Sequence, residues 1–199
     1  KKGLPIFIDK PLALNTDDAK YLFSHATNSI LFSCSSMRFD CDLDISSWWK
    51  SPDVHYILGM APKQWETYSI HAIEPILSSY QKCFKYSGEE LLNIISRCSF
   101  VSFRSNKTVK LDLILPRPKN LKPVKVEIQT TGKDSQPIQI FIYNQSNHLL
   151  AKKTHFNTFT SFKSTLKAFE DSLFTKTEPI ERQAMLSSVL MVEKGLCKT

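Results

Sequence analysis

A lysine, a tyrosine and a histidine carry most of the chemical interest of this sequence. Lys10 stands in Asp9-Lys10-Pro11-Leu12-Ala13, at the carboxyl end of the apolar run Pro5 to Asp9. Ligands of open α/β sheets bind at the C-terminal ends of strands, so a cation there is placed to meet one. His71 lies in Trp65-Glu66-Thr67-Tyr68-Ser69-Ile70-His71-Ala72-Ile73-Glu74, within a helical pattern. Its imidazole ordinarily titrates near neutral pH, which suits proton transfer. At about 100° per residue, Tyr68 and His71 fall on the side away from Ile70, Ile73 and Leu77, and so are placed to face a cleft while that stripe packs. Taken singly, each has a plainer reading: a surface cation before a proline, and a solvated histidine on a polar helix face.

Other chemistries find less support. The five cysteines, Cys34, Cys41, Cys83, Cys98 and Cys197, form no CxxC pair and no cluster with histidine at zinc spacing. They read as free thiols of a reducing cytoplasm, with no metal. The net charge of +7 is lopsided, residues 1–90 carrying 9 Lys/Arg against 11 Asp/Glu and residues 91–199 carrying 17 against 8. The basic run from Arg104 through Lys107, Lys110, Arg117, Lys119 and Lys122 to Lys125 comes with no nucleic-acid-binding module. Its strand positions Lys107 and Lys110 read as a solvated face, so nucleic acid is not expected as a partner. No apolar run approaches the ~20 residues of a membrane helix, so no membrane association is expected.

The elements that must position these residues follow from periodicity. Pro5 to Asp9 reads as a buried strand. Asn15 is a helix N-cap, with Asp17 and Asp18 in the first turn and Ala19, Leu22, Phe23 and Ala26 as an apolar stripe. Ile30 to Ser35 is a second strand, which completes a βαβ unit with a parallel pair. An acidic loop (Asp40, Asp42, Asp44), Trp48 and Trp49 as packing residues, and a strand from Val54 to Met60 come next. The helix from Trp65 to Tyr80 contains Pro75, which predicts a kink. From Ile94 the pattern has period two, with Val109 to Leu115, Val124 to Thr130 and Ile138 to Ile142 as strands of an antiparallel meander. Two helices close the chain, one carrying Phe162, Leu166, Phe169 and Leu173, the other Met185, Leu186, Val189 and Leu190. The fold class is α+β: a truncated Rossmann-like βαβ start, then an open, mostly antiparallel sheet with helices on one face.

Three segments together resemble the glucose–fructose oxidoreductase/inositol dehydrogenase (Gfo/Idh/MocA) family. Gly3 to Ala13, with Asp9-Lys10-Pro11-Leu12-Ala13, is similar to that family's E-K-P-L-A segment at the end of a nucleotide-domain strand. Trp65 to Glu74 resembles the helix that carries the catalytic histidine. Leu31-Phe32-Ser33-Cys34-Ser35-Ser36-Met37-Arg38 is similar to the strand crossing into the substrate domain. The resemblance implies an NAD- or NADP-dependent oxidoreductase acting on a sugar or polyol by hydride transfer. That reaction needs a base for the hydroxyl proton and a cation to favour the alkoxide-like transition state. By resemblance His71 is the general acid/base, Lys10 is catalytic and with Pro11 meets the nicotinamide end of the cofactor, and Tyr68, Arg38 and Glu74 bind substrate. Two positions depart from the family pattern: Asp9 replaces the usual Glu, and Thr67 stands where an Asp precedes the histidine by four residues.

The resemblance also divides the chain. Residues 1–36 are expected to be the end of a dinucleotide-binding domain, and 37–199 a substrate and oligomerisation domain. No G-x-G-x-x-G occurs, and a pyrophosphate cradle needs such glycines. The cofactor-binding region is therefore expected upstream of Lys1, and these residues alone are expected to be inactive. The outer sheet face is expected to make a homo-oligomer. A reading from another class stands beside this one: a non-catalytic oligomerisation or partner-binding module derived from the same family.

Overall fold

A computed structural model describes residues 3–106, 108–118 and 120–197. Lys107 and Lys119 of the basic run lie outside these. Strand β1 (Ile6–Phe7), helix α1 (Thr16–His25) and strand β2 (Leu31–Phe32) form the βαβ start. β1 and β2 pair in parallel, with Ile6 N–H on the Ile30 carbonyl and Ile8 N–H on that of Phe32, at 2.8 and 2.9 Å. Asn15 caps α1, its side chain accepting from Asp18 N–H. The run from Pro5 to Asp9 is not buried, contrary to the sequence expectation: Ile6 is 36% exposed. The reason is topological. β1 has a partner on one side only, so its outer edge and Leu4 face solvent.

Three short 3-10 turns (Ser36–Phe39, Cys41–Leu43, Trp48–Lys50) lead to the main sheet. Its strands are β3 (Tyr56–Ala61), β4 (Phe100–Arg104), β5 (Val109–Leu115), β6 (Val124–Thr130), β7 (Gln139–Tyr143) and β8 (Leu149–Thr154), in the order β4-β5-β6-β3-β7-β8. The sheet is open and mostly antiparallel, as the alternation implies, but it is not a simple meander. β3 lies between β6 and β7, parallel to the first and antiparallel to the second. Ile57, Leu111, Leu113, Val126, Ile128, Ile140 and Ile142 are buried on one face. Gly59 lets a helix approach β3 closely there, since a Cβ at this position would stand 2.8 Å from Ile76 Cδ1.

The covering layer contains α2 (Trp65–Tyr68), α3 (Ile70–Phe84), α4 (Gly88–Ser96) and α6 (Arg182–Leu196). The helix containing Pro75 runs through that proline as α3 and is separated from α2 at Ser69. The Trp65 carbonyl there accepts both from the Ser69 hydroxyl, at 2.6 Å, and from Ser69 N–H, at 3.1 Å. α4 replaces the start of the period-two region. It has a complete capping box between Ser87 and Glu90, which fixes its first turn. Gly195 of α6 lies against the Trp65 indole, where a Cβ would come within 2.1 Å of Cζ2, and Trp65 Nε1 donates to the Val192 carbonyl. These contacts clamp α2 onto α6.

Helix α5 (Thr158–Thr175) overturns one expectation. Phe162, Leu166 and Leu173 of its apolar stripe are 41–47% exposed, and only Phe169 packs, against Phe7 and Phe32. Its buried side is Ser161, Thr165 and Ser172. Helical period identifies residues that share a face; it does not say which face is covered. Here Ser161 is drawn inward by the buried carboxylate of Asp40, which also pairs with His155.

Three cations of the basic run are paired with acids. Lys110 pairs with Glu127, Lys125 with Asp112 and Arg104 with Glu66. Arg117 is buried and donates to the carbonyls of Trp49, Ser51, Val54 and Lys122, so it ties loops together. Trp49 is fully buried, edge-on to Tyr80. Among the described residues no helix is long and apolar enough to cross a membrane.

Candidate active site

The site lies where chain segments leave two pairs of parallel strands, one in each sheet. Lys10 follows β1, Ser35 follows β2, and Lys63 follows β3. Gly132 follows β6, the parallel neighbour of β3. Strand exits gathered in this way leave a crevice lined by loops and helix starts. The Lys10 ammonium donates to the Thr67 carbonyl at 2.9 Å and stands 4.7 Å from the centre of the Tyr68 ring. Tyr68 meets His71 edge-on with centroids 5.2 Å apart. The structure thus brings Lys10, Tyr68 and His71 together from positions up to 61 residues apart in the chain.

His71 is more enclosed than its place on the polar side of the helix implied, at 8% exposure. Its Nδ1 shares a hydrogen bond of 2.7 Å with Ser35 Oγ, which also accepts from Met37 N–H. Its Nε2 makes no hydrogen bond among the described residues. Burial first, then the charges of Lys10 and His155, push the imidazole down to about 3. The neutral-range titration expected from sequence is therefore corrected. In the folded protein His71 is uncharged at neutral pH, with Ser35 orienting its ring.

This shift has a measurable consequence. The unfolded chain binds a proton on His71 at its ordinary value of 6.5, whereas the folded chain does not until about 3. Stability contributed by neutral His71 is complete above that upper value and is lost as pH falls through the window. The limiting slope is about 1.4 kcal/mol per pH unit. Between pH 6.5 and 4.5, urea unfolding should show wild type losing about 2 kcal/mol more than His71→Asn. Parallel pH profiles for the two proteins would show that His71 is not held neutral by the fold.

Arg38 and Glu74, expected from the resemblance to bind substrate, hydrogen-bond one another at 2.7 Å with side chains 8% and 2% exposed. Arg38 also donates to Gln81. Neither hydrogen-bonds to Lys10, Tyr68 or His71. The pair clamps the turn after β2 onto α3, and that turn begins beside Ser35, the partner of His71. Pro11 follows Lys10 across a cis peptide bond and is half-buried.

Two residues of the site were not legible in the sequence. Ser35 lies in the strand and crossing segment Leu31 to Arg38, where the sequence assigns it no role. Lys63 has a left-handed backbone (φ 56°), and its ammonium donates to the Tyr68 hydroxyl at 2.9 Å. Nothing in a lone lysine between Pro62 and Gln64 announces either property.

No family model and no curated protein matches the sequence. Solved structures do match the fold. A dehydrogenase from Clostridium difficile aligns with a TM-score of 0.59 at 13% identity, over 96% of this chain and 70% of that one. The UDP-N-acetylglucosamine 3-dehydrogenase of Acidithiobacillus ferrooxidans gives 0.58 at 10% identity, over 94% and 68%. The scyllo-inositol dehydrogenase of Lactobacillus casei gives 0.57 at 13% identity, over 96% and 69%. The chain therefore shares the fold of dehydrogenases.

Proposed function

We propose that this chain is part of an NAD(P)-dependent oxidoreductase of the Gfo/Idh/MocA family, acting on a sugar or polyol by hydride transfer. The observation that carries this reading is the convergence of Lys10, Tyr68 and His71 at the exits of parallel strands. Residues 1–36 would be the end of the dinucleotide-binding domain, and 37–199 the substrate domain. The nicotinamide cofactor would supply the hydride acceptor. Lys10 and Pro11 would line its nicotinamide side; the five glycines offer no pyrophosphate cradle, so that part would come from outside these residues.

The chain's own residues divide the remaining work. In the tautomer that carries its proton on Nδ1, toward Ser35, Nε2 presents its lone pair to a substrate hydroxyl. The field of Lys10 weakens His71 as a base and, by the same charge, makes a neighbouring hydroxyl more acidic and its alkoxide more stable. Tyr68 would bind the substrate beside them. Arg38 and Glu74 would support the pocket from behind.

The test is calorimetric titration of these 199 residues with NADH and NADPH, set beside the same titration of the complete protein. The complete protein should bind one of them. The isolated chain should bind neither usefully, because contacts at one end cannot offset the ordering of a whole dinucleotide. A complete protein that binds neither would favour the non-catalytic module.

The outer sheet face supports a homo-oligomer. Tyr56, Leu58, Met60, Phe141 and Tyr143 are half-exposed there, while Val101, Phe103 and Ile114 are 53–62% exposed. These surround the Lys125–Asp112 and Lys110–Glu127 ion pairs. Sedimentation should give a closed oligomer that Phe141→Glu dissociates. A monomer at high concentration would contradict this.

A further inference from the structure

We propose that Lys63 anchors an anionic group, a phosphate or carboxylate carried by the sugar or polyol substrate, in the cleft between the exits of β3 and β6. The proposal rests on the dehydrogenase reading for the word substrate, and on geometry for the anion.

Four observations carry it. First, the ammonium groups of Lys10 and Lys63 both stand 4.7 Å from the centre of the Tyr68 ring, and among the described residues neither has a carboxylate within 4.0 Å. Two cations near one phenol with no carboxylate in ion-pair contact favour a bound anion, with Asp134 acting on Lys63 only through space. Second, Lys63 donates once, to Tyr68 Oη, which leaves two of its three N–H groups for a ligand. Third, the adjoining cavity of about 360 Å³ is lined by Lys63, Gln64, Thr67, Asn106, Gly132 and Asp134. That volume suits a monosaccharide-sized ligand. Gln64, Thr67 and Asn106 add side-chain donors, and Asp134, the one acid of the lining, stands beyond ion-pair distance of Lys63. Fourth, Lys63 is held in the left-handed region at φ 56°, which costs a non-glycine residue on the order of 1 kcal/mol. Its N–H donates to the Lys133 carbonyl and its own carbonyl accepts from Gly132 N–H, at 3.1 and 3.0 Å. These two bonds lock the β3 exit to the β6 exit and aim the side chain over Tyr68.

Thr67 joins this cleft to the candidate catalytic residues, since it lines the cavity while its carbonyl accepts from Lys10. A substrate could therefore place a hydroxyl at Lys10 and His71 and its anionic group at Lys63.

The experiment titrates the chain with glucose, glucose 6-phosphate and glucuronate in low salt, for wild type, Lys63→Met, Lys63→Arg and Lys63→Gly. Wild type should bind at least one of the two anionic sugars about tenfold or more tightly than glucose, the discrimination expected of one charge-assisted contact. Which of the two is preferred tells phosphate from carboxylate. Lys63→Met should erase the preference and leave glucose binding unchanged, and Lys63→Arg should retain it. Lys63→Gly removes the charge while relaxing the backbone, so it should lose the preference without losing thermal stability. No preference in wild type, no binding of any probe, or an equal loss for all three sugars in Lys63→Met would overturn the proposal. Nicotinamide reduction is scored separately, in the complete protein. Turnover of neutral polyols by a wild type that shows no preference for anionic sugars would sink the anion site and keep the dehydrogenase. Preference for anionic sugars without any nicotinamide reduction would do the reverse.

Discussion

Replacing Glu74 with alanine should destabilise the fold by about 3–5 kcal/mol, because it leaves the Arg38 guanidinium buried without its carboxylate. The two side chains are 8% and 2% exposed and bonded at 2.7 Å, so water cannot take the place of the missing partner without opening the packing of α3. Gln81 would remain, but one amide oxygen does not balance a cation. Glu74→Gln should cost less, since it keeps an acceptor. The double variant Arg38→Met with Glu74→Leu should recover much of the loss, because a well-packed apolar pair of similar volume often matches a buried ion pair. Urea unfolding of the four proteins at pH 7 makes the cycle. A loss under about 1 kcal/mol for Glu74→Ala would show the pair to be solvated and would remove its role in fixing the turn beside Ser35.

In the complete protein, His71→Ala and Lys10→Ala should each reduce turnover by about 10² or more, the usual loss on removing an acid/base or charge-stabilising group. Neither should unfold the chain. Lys10 is half-buried at the cleft, and His71 makes one side-chain hydrogen bond, to Ser35. The two effects should not add, because one reacting hydroxyl depends on both. Ser35→Ala should give a smaller loss, since it frees the imidazole to rotate while leaving the base in place. Turnover is read in steady state with saturating cofactor. Near-normal turnover for His71→Ala would assign the proton transfer to another group.

The sequence disclosed local structure better than assembly. Asn15 and Asp18 announced the start of α1, and the alternation of Val109 to Leu115 and Val124 to Thr130 gave two strands and their buried face. The capping box of Ser87 and Glu90 opens a helix that runs past Ile94, where the period-two pattern predicts strand. Strand order was beyond reach. Nothing in the alternation of Ile57, Gly59 and Ala61 says that β3 enters the middle of a sheet whose other strands come later in the chain. The α5 stripe failed for a different reason. Phe162 and Leu166 share a face by helical period, but it is the Asp40–Ser161 hydrogen bond across 121 residues that turns this face outward.

The site was legible to the same degree. Lys10, Tyr68 and His71 stood in segments of recognisable type, and the fold brings them together. Ser35 and Lys63 were not found, because their roles are relational: one is a partner of His71 across 36 positions, the other a left-handed residue fixed by a facing loop. The imidazole's depressed titration was likewise invisible, since it comes from burial that helical phase alone placed on the open side.

The central claim is that this cleft removes hydride from a carbinol. Its most direct test follows a label: the complete protein is mixed with a sugar or polyol deuterated at its carbinol carbons and with NAD⁺ or NADP⁺, and deuterium is sought at the nicotinamide ring by proton NMR. Wild type should transfer the label to one of the two cofactors, and Lys10→Ala and His71→Ala should transfer it about 10² times more slowly. Absence of label with either cofactor in a folded wild-type protein, or undiminished transfer in both variants, would contradict the account.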